Sequence, residues 1–224
     1  TYYGKSPHIK KLHCTQECTM VKLPMVSASF TVKDIFDLEK VYSMAPLRNL
    51  ELITHIQTRH VISFPLLEEL VLIRHNAAVV FGHCPALVKL TICNKSLNKL
   101  TNANFPALID LTIYNVEVNI FKLSKLKLRR LTLINCTLFD AYNLELLNLE
   151  SLAVIDSAHE PLPFIKCRSL EISDDCIMKN TELFDGLERL TLLGLHNVML
   201  DSLPPLKYLS ITGISLTLDH MRMI

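Results

Sequence analysis

Apolar side chains return in one short frame along almost the whole chain. Leu67-Glu68-Glu69-Leu70-Val71-Leu72 is followed by Leu87-Val88-Lys89-Leu90-Thr91-Ile92. Leu108-Ile109-Asp110-Leu111-Thr112-Ile113 and Leu128-Arg129-Arg130-Leu131-Thr132-Leu133 come next. The first residues step 67, 87, 108, 128, so the frame L-x-x-L-x-L/I repeats about every 20 residues. Residues two apart on a strand share a face. The pairs Leu70/Leu72, Leu90/Ile92, Leu111/Ile113 and Leu131/Leu133 therefore predict short strands whose alternate side chains point into a core.

The frame extends in both directions. Downstream it continues at Leu149–Val154, at Cys167–Ile172 with Cys in a Leu place, at Leu187–Leu192 and at Leu206–Ile211. Upstream, Leu47–Leu52 fits well, and Ser27–Val32 and Ile9–Cys14 fit loosely, giving eleven candidate units. A proline precedes several units, and Phe64-Pro65-Leu66, Cys84-Pro85-Ala86 and Phe105-Pro106-Ala107 read as one repeated turn into the next strand. Proline fixes φ and lacks an N–H, so it suits the start of a strand and not its middle. The apolar residue before it is expected to plug the core beneath the turn.

A fixed period of this length is the mark of a solenoid, in which each unit is completed by its neighbours. The recurrent L-x-x-L-x-L resembles the leucine-rich repeat family. The resemblance implies an α/β solenoid: a right-handed superhelix with a parallel β-sheet on its concave face and mostly extended or 3-10 segments on its convex side. It treats residues 1–224 as a single leucine-rich repeat domain of about 11 repeats. One stretch, Val32–Tyr42, has apolar residues at helical spacing and predicts a helix. The start at Thr1 without Met, and the lack of recognisable polar caps, suggest a piece of a longer protein.

Three outward columns follow from the frame. The middle one, rich in Thr (Thr91, Thr112, Thr132, Thr191), is expected on β-propensity alone. The frame puts Thr31 in that column, beside Glu51. The next column is apolar: Ile53, Ile73, Cys93, Tyr114, Ile134, Ile155. Either the following turn covers it or it is an exposed stripe that marks a partner site, with Tyr114 as the natural anchor. The remaining column mixes signs, with Glu69, Lys89, Asp110, Arg130 and Arg189. Mixed charge argues against a polyanion and suits a protein partner. After the strands come Asn94, Asn115, Asn135, Asp156 and Asp174, expected to cap turns. Many leucine-rich repeats place an Asn one position later, where this chain has Lys95, Val116, Cys136, Ser157 and Asp175.

Composition narrows the classes. Half the residues are hydrophobic, and the net charge of +1 gives no bulk pull toward nucleic acid or membrane. No apolar run reaches the length of a membrane span. Seven scattered cysteines are not a disulfide framework and favour an intracellular setting. Lys122, Lys125, Lys127, Arg129 and Arg130 form a basic cluster, but buried leucines interrupt it and nucleic acid is not the expected ligand. His8, His13, Cys14 and Cys18 match no standard zinc spacing, so no metal and no cofactor is expected. The sequence holds no nucleotide-binding or hydrolase motif, and no enzyme activity is expected. The leading expectation is a non-enzymatic scaffold binding a protein partner on the concave face through Glu51, Glu69, Ile73, Lys89, Asp110, Tyr114, Arg130 and Ile134. The alternatives are the substrate-recognition segment of an F-box type ubiquitin-ligase receptor and a secreted pathogen effector repeat domain.

Overall fold

A computed structural model describes residues 11–14, 27–32, 47–54, 60–73, 79–93, 100–101, 103–157, 166–173, 186–194 and 205–212. The predicted helix beyond Val32, the cysteines Cys18 and Cys176, and the turn residues Asn94 and Asp174 lie outside these residues, as do the side chains of His13 and Cys14. The chain forms two compact units, residues 1–108 and 109–224.

Each unit is a parallel-strand solenoid of stacked coils with little helix, compatible with a repeat protein. In the first unit the main strands are β1 (Lys11–Cys14), β2 (Ser27–Val32), β3 (Asn49–Thr54), β5 (Glu69–Ile73) and β7 (Lys89–Cys93), each paired in parallel with the next. Two further short strands, β4 (His60–Ile62) and β6 (Val79–Phe81), pair with each other on the return path. In the second unit the main strands are β8 (Asp110–Tyr114), β10 (Arg130–Ile134), β12 (Ser151–Ile155), β13 (Ser169–Ser173), β14 (Arg189–Leu193) and β15 (Tyr208–Thr212). Its return path carries β9 (Glu117–Asn119) paired with β11 (Thr137–Phe139), a single helical turn α1 (Ile120–Leu123), and a 3-10 segment at Ala141–Leu146. Short strands and one 3-10 segment thus make up most of the described return path.

All eleven frames found in the sequence fall on strands, and the inward pairs are buried: Leu70 and Leu72, Leu90 and Ile92, Leu111 and Ile113, Leu131 and Leu133 are each at most 4 % exposed. One register differs from expectation. Ala28, not Phe30, lies beside Leu50, and Phe30 lies beside Leu52. Ser29, not Thr31, is therefore the neighbour of Glu51, and Thr31 falls beside Ile53. The slip is two residues, which keeps the same side chains on the same face, so the apolar pattern could not distinguish the two registers.

The proline turns fold as read. Leu87 N–H donates to Cys84 O (3.2 Å) and Leu108 N–H to Phe105 O (3.3 Å), with Pro85 and Pro106 at the second turn position that their fixed φ favours. Phe64, Cys84 and Phe105 are buried beneath these turns.

At the other end of the strands, Asn115, Asn135 and Asp156 adopt left-handed backbone (φ 52°, 51° and 47°), as does Gly194 (φ 69°). That conformation is costly for most L-residues and least so for Gly, Asn and Asp, which accounts for the residue types in this column. Their own N–H groups bond the next coil, Asn115 to Ile134 O (3.0 Å) and Asn135 to Ile155 O (2.8 Å), and the residue after them adds further bonds. Cys136 N–H donates to Ser157 Oγ (3.0 Å), and the Ser157 hydroxyl donates to Ile155 O (2.8 Å). Stacked coils also share side chains directly, since Asn135 Nδ2 donates to Asn115 Oδ1 at 2.6 Å.

Candidate functional site

The sheet face of the first unit carries Glu51, Glu69, Ile73 and Lys89; that of the second carries Asp110, Tyr114, Arg130 and Ile134. Within each unit the register brings the expected neighbours together. Asn49 lies beside Glu69, and Glu69 beside Lys89, while Ile53 lies beside Ile73. Asp110 lies beside Arg130, and Tyr114 beside Ile134, which in turn neighbours Ile155.

The charges on this face are largely engaged with one another. Lys89 Nζ sits 3.0 Å from Glu69 Oε1, and Arg130 Nε sits 2.9 Å from Asp110 Oδ2. Farther along the same column Arg189 stacks over the Tyr208 ring at 5.0 Å. Partly exposed pairs of this kind contribute little to stability, typically about 0–1 kcal/mol. Their position follows from the repeat: one strand's column residue lies beside the next strand's, so a sign change along the column makes a cross-strand pair. The apolar column is half-buried at Ile53, Ile73, Cys93, Tyr114, Ile134, Ile155 and Leu193, so neither full cover nor full exposure describes it. Ser173 interrupts the run between Ile155 and Leu193, buried with its Oγ accepting from Asp156 N–H.

A second surface was not singled out from the sequence. It lies at the leading edge of the second unit, where the strands begin. A cleft of about 720 Å³ is lined by Leu126–Arg129, by Asn148–Glu150, by Lys166–Arg168 and by Gly186. Apart from Leu126, these are the unit's first residue and the residues on either side of it, taken from consecutive coils, with Gly186 alone from the last. The edge is pinned by a recurrent bond in which one carbonyl accepts two N–H groups from the next coil. Arg129 O takes Glu150 N–H (2.8 Å) and Ser151 N–H (3.1 Å); Glu150 O takes Arg168 and Ser169 N–H (both 3.0 Å). Just beyond the cleft, Lys207 hydrogen-bonds Glu188, and that bond and its charge hold the Glu188 carboxyl below its ordinary range.

The basic cluster of the sequence is thereby divided. Lys125 lies over the Phe121 ring at 5.5 Å, and Arg130 belongs to the sheet face. Lys127 and Arg129 line the cleft, joined there by Lys166 and Arg168 from two coils on. The signal that could have found this grouping was in the frame: Lys127, Asn148, Lys166 and Gly186 each stand immediately before a unit.

Cys84, Cys93, Cys136 and Cys167 carry thiols and not disulfides. Burial pushes the Cys84 and Cys136 thiols up, and pushes Cys167 up to about 11. They are protonated fillers of the core, poor nucleophiles and poor ligands. Among the described residues no group of three or more His, Cys, Asp or Glu side chains is placed to hold a metal ion. Among them, too, no helix is long and apolar enough to cross a membrane.

Comparison with known protein families, with curated proteins and with solved structures finds no match to this chain.

Proposed function

We propose that the chain is a non-enzymatic interaction scaffold of the leucine-rich repeat kind that binds a protein partner on the exposed face of its parallel sheet. The observation that carries this reading is the half-buried apolar row Tyr114–Ile134–Ile155, which shares its strands and face with the Asp110–Arg130 pair across the Thr112–Thr132 row. A half-covered apolar row next to oriented charge has the make-up of an interface, with an aromatic anchor for affinity and charge for selectivity. Ile53 and Ile73, on the strands that carry Glu51 and Glu69, offer the same arrangement in the first unit. The leucine-rich repeat reading rests on the inward L-x-x-L-x-L rows and on Cys136 and Ser157. These two stand where that family commonly places Asn and bond the backbone of adjacent turns.

The test uses the chain and its Tyr114→Ala/Arg130→Ala variant as immobilised baits in an extract of the source cells, with captured proteins quantified by mass spectrometry. A sheet-face partner is lost from the variant by at least about tenfold, since hot-spot truncations typically cost about 2 kcal/mol or more. If both baits retain the same proteins while the variant's circular dichroism is unchanged, the sheet face of the second unit is not the binding surface.

A further inference from the structure

We infer that the leading-edge cleft of the second unit is a binding groove for an acidic, extended segment of a protein partner. It is distinct from the sheet face and independent of the reading given for that face. Four cations, Lys127, Arg129, Lys166 and Arg168, line the cleft against one carboxylate, Glu150. That local excess stands in a chain whose net charge is only +1. The two arginines are partly engaged. Arg129 sits 3.3 Å from Glu150, and Arg168 lies close enough to Glu188 to help lower its pKa. Lys127 and Lys166 have no such partner among the described residues; both are exposed.

The geometry selects the occupant. Coils of a parallel sheet are stacked about 4.8 Å apart, so Lys127 and Lys166, two coils apart, are rooted about 10 Å from each other. An extended peptide places same-side residues about 7 Å apart, a spacing on which two flexible lysine side chains can close. Between the lysines Asn148 offers amide donor and acceptor groups to a peptide backbone. The floor is apolar, made by the nearly buried Leu126, Leu128, Leu149 and Cys167. At the far end Gly186 adds no side chain, and a Cβ there would meet no atom of the described residues within 4 Å. A nucleic-acid strand fits less well. Among the described residues the lining has no aromatic side chain on which a base could stack, and Glu150 stands in the middle of the track.

The probe is a fluorescein-labelled hexaglutamate peptide, with hexaglutamine as its uncharged counterpart, read by fluorescence anisotropy at about 50 mM and about 200 mM salt. The whole chain is expected to bind hexaglutamate and not hexaglutamine, more weakly at the higher salt. Lys127→Ala/Lys166→Ala is expected to weaken binding at least tenfold. Lys122→Ala/Lys125→Ala, which removes the same charge outside the groove, is expected to change it less than threefold. Glu150→Gln is expected to tighten binding several-fold by freeing Arg129. The proposal is overturned if the whole chain does not bind hexaglutamate, if the two double variants lose affinity equally, or if Glu150→Gln weakens binding. It is also overturned if a labelled oligothymidylate of equal charge binds more tightly than the peptide and loses affinity with Lys127→Ala/Lys166→Ala, for the groove would then serve nucleic acid. None of these variants touches Tyr114 or Arg130, so failure here leaves the sheet-face reading standing, and the reverse.

Discussion

Ser157→Ala removes a single oxygen from the interior and tests how the coils are held together. Ser157 is fully buried, and its hydroxyl accepts from Cys136 N–H at 3.0 Å while donating to Ile155 O at 2.8 Å. The two ends of this bridge are not equal. Ile155 O also accepts Asn135 N–H at 2.8 Å, so it keeps a partner when the hydroxyl goes. Cys136 N–H loses the acceptor shown for it and is left in a buried turn. The cost is therefore that of stranding one buried donor, about 1–3 kcal/mol, with little added for the small void. That corresponds to about a 5- to 150-fold increase in the unfolding constant at 25 °C.

With a denaturant slope of about 2 kcal/mol/M in urea, the midpoint falls by about 0.5–1.5 M. The assay is urea unfolding followed by circular dichroism, paired with amide hydrogen exchange resolved at Cys136. Exchange at that amide is expected to quicken at least as much as the global opening does. Ser210→Ala, on the sheet face, serves as the comparison and should move stability by less than about 0.5 kcal/mol. A midpoint shift in Ser157→Ala no larger than that of Ser210→Ala, with exchange at Cys136 unchanged, would refute the bridge as a source of stability.

Three other perturbations probe the turns and the titrating groups. Asn135→Val forces a β-branched residue into left-handed backbone at φ 51° and breaks the 2.6 Å bond to Asn115. It should destabilise by about 1–2 kcal/mol, with Asn135→Gly recovering most of that in thermal unfolding. Burial pushes the Cys167 thiol from its ordinary 9.0 up to about 11, so the folded state holds that proton more tightly than the unfolded chain. Its contribution to stability is complete below about pH 9 and is lost as pH rises through about 11; Cys167→Ala should flatten this part of the midpoint-against-pH curve. Because Lys207 lowers the Glu188 carboxyl, Lys207→Ala should raise the Glu188 pKa measured by carboxyl-carbon NMR, with no more than a small change in stability for so exposed a pair.

The fold was legible because its inward rows are redundant. Leu70, Leu90, Leu111 and Leu131 each occupy the same place against a near-identical neighbour, so every unit repeats the pattern of the others. The β2 register escaped because Ala28, Phe30 and Val32 alternate correctly in either alignment, and a two-residue slip leaves a period-two pattern unchanged. The turn column carries its Asn and Asp as expected; what the sequence did not show is that Asn115 and Asn135 adopt left-handed backbone and that Cys136 and Ser157, one residue later, add a bond between coils.

Function was harder to read because a solenoid spends charge on itself. In the position after each unit's first residue the signs alternate along the second unit, through Arg129, Glu150, Arg168, Glu188 and Lys207, and neighbouring coils pair them. The first unit does the same with Arg48 and Glu68. The columns that looked richest in recognition chemistry, including Glu69–Lys89 and Asp110–Arg130, are satisfied in the same way. Such pairs present dipoles to a partner more than free charge. A charge left over is one whose coil neighbours are neutral, and that condition holds at Lys127 and Lys166, which flank Asn148. The informative unit in a repeat sequence is thus the column and not the cluster. Lys122, Lys125, Lys127, Arg129 and Arg130 are adjacent in the chain but serve three surfaces, whereas Lys127 and Lys166 stand 39 residues apart and share one.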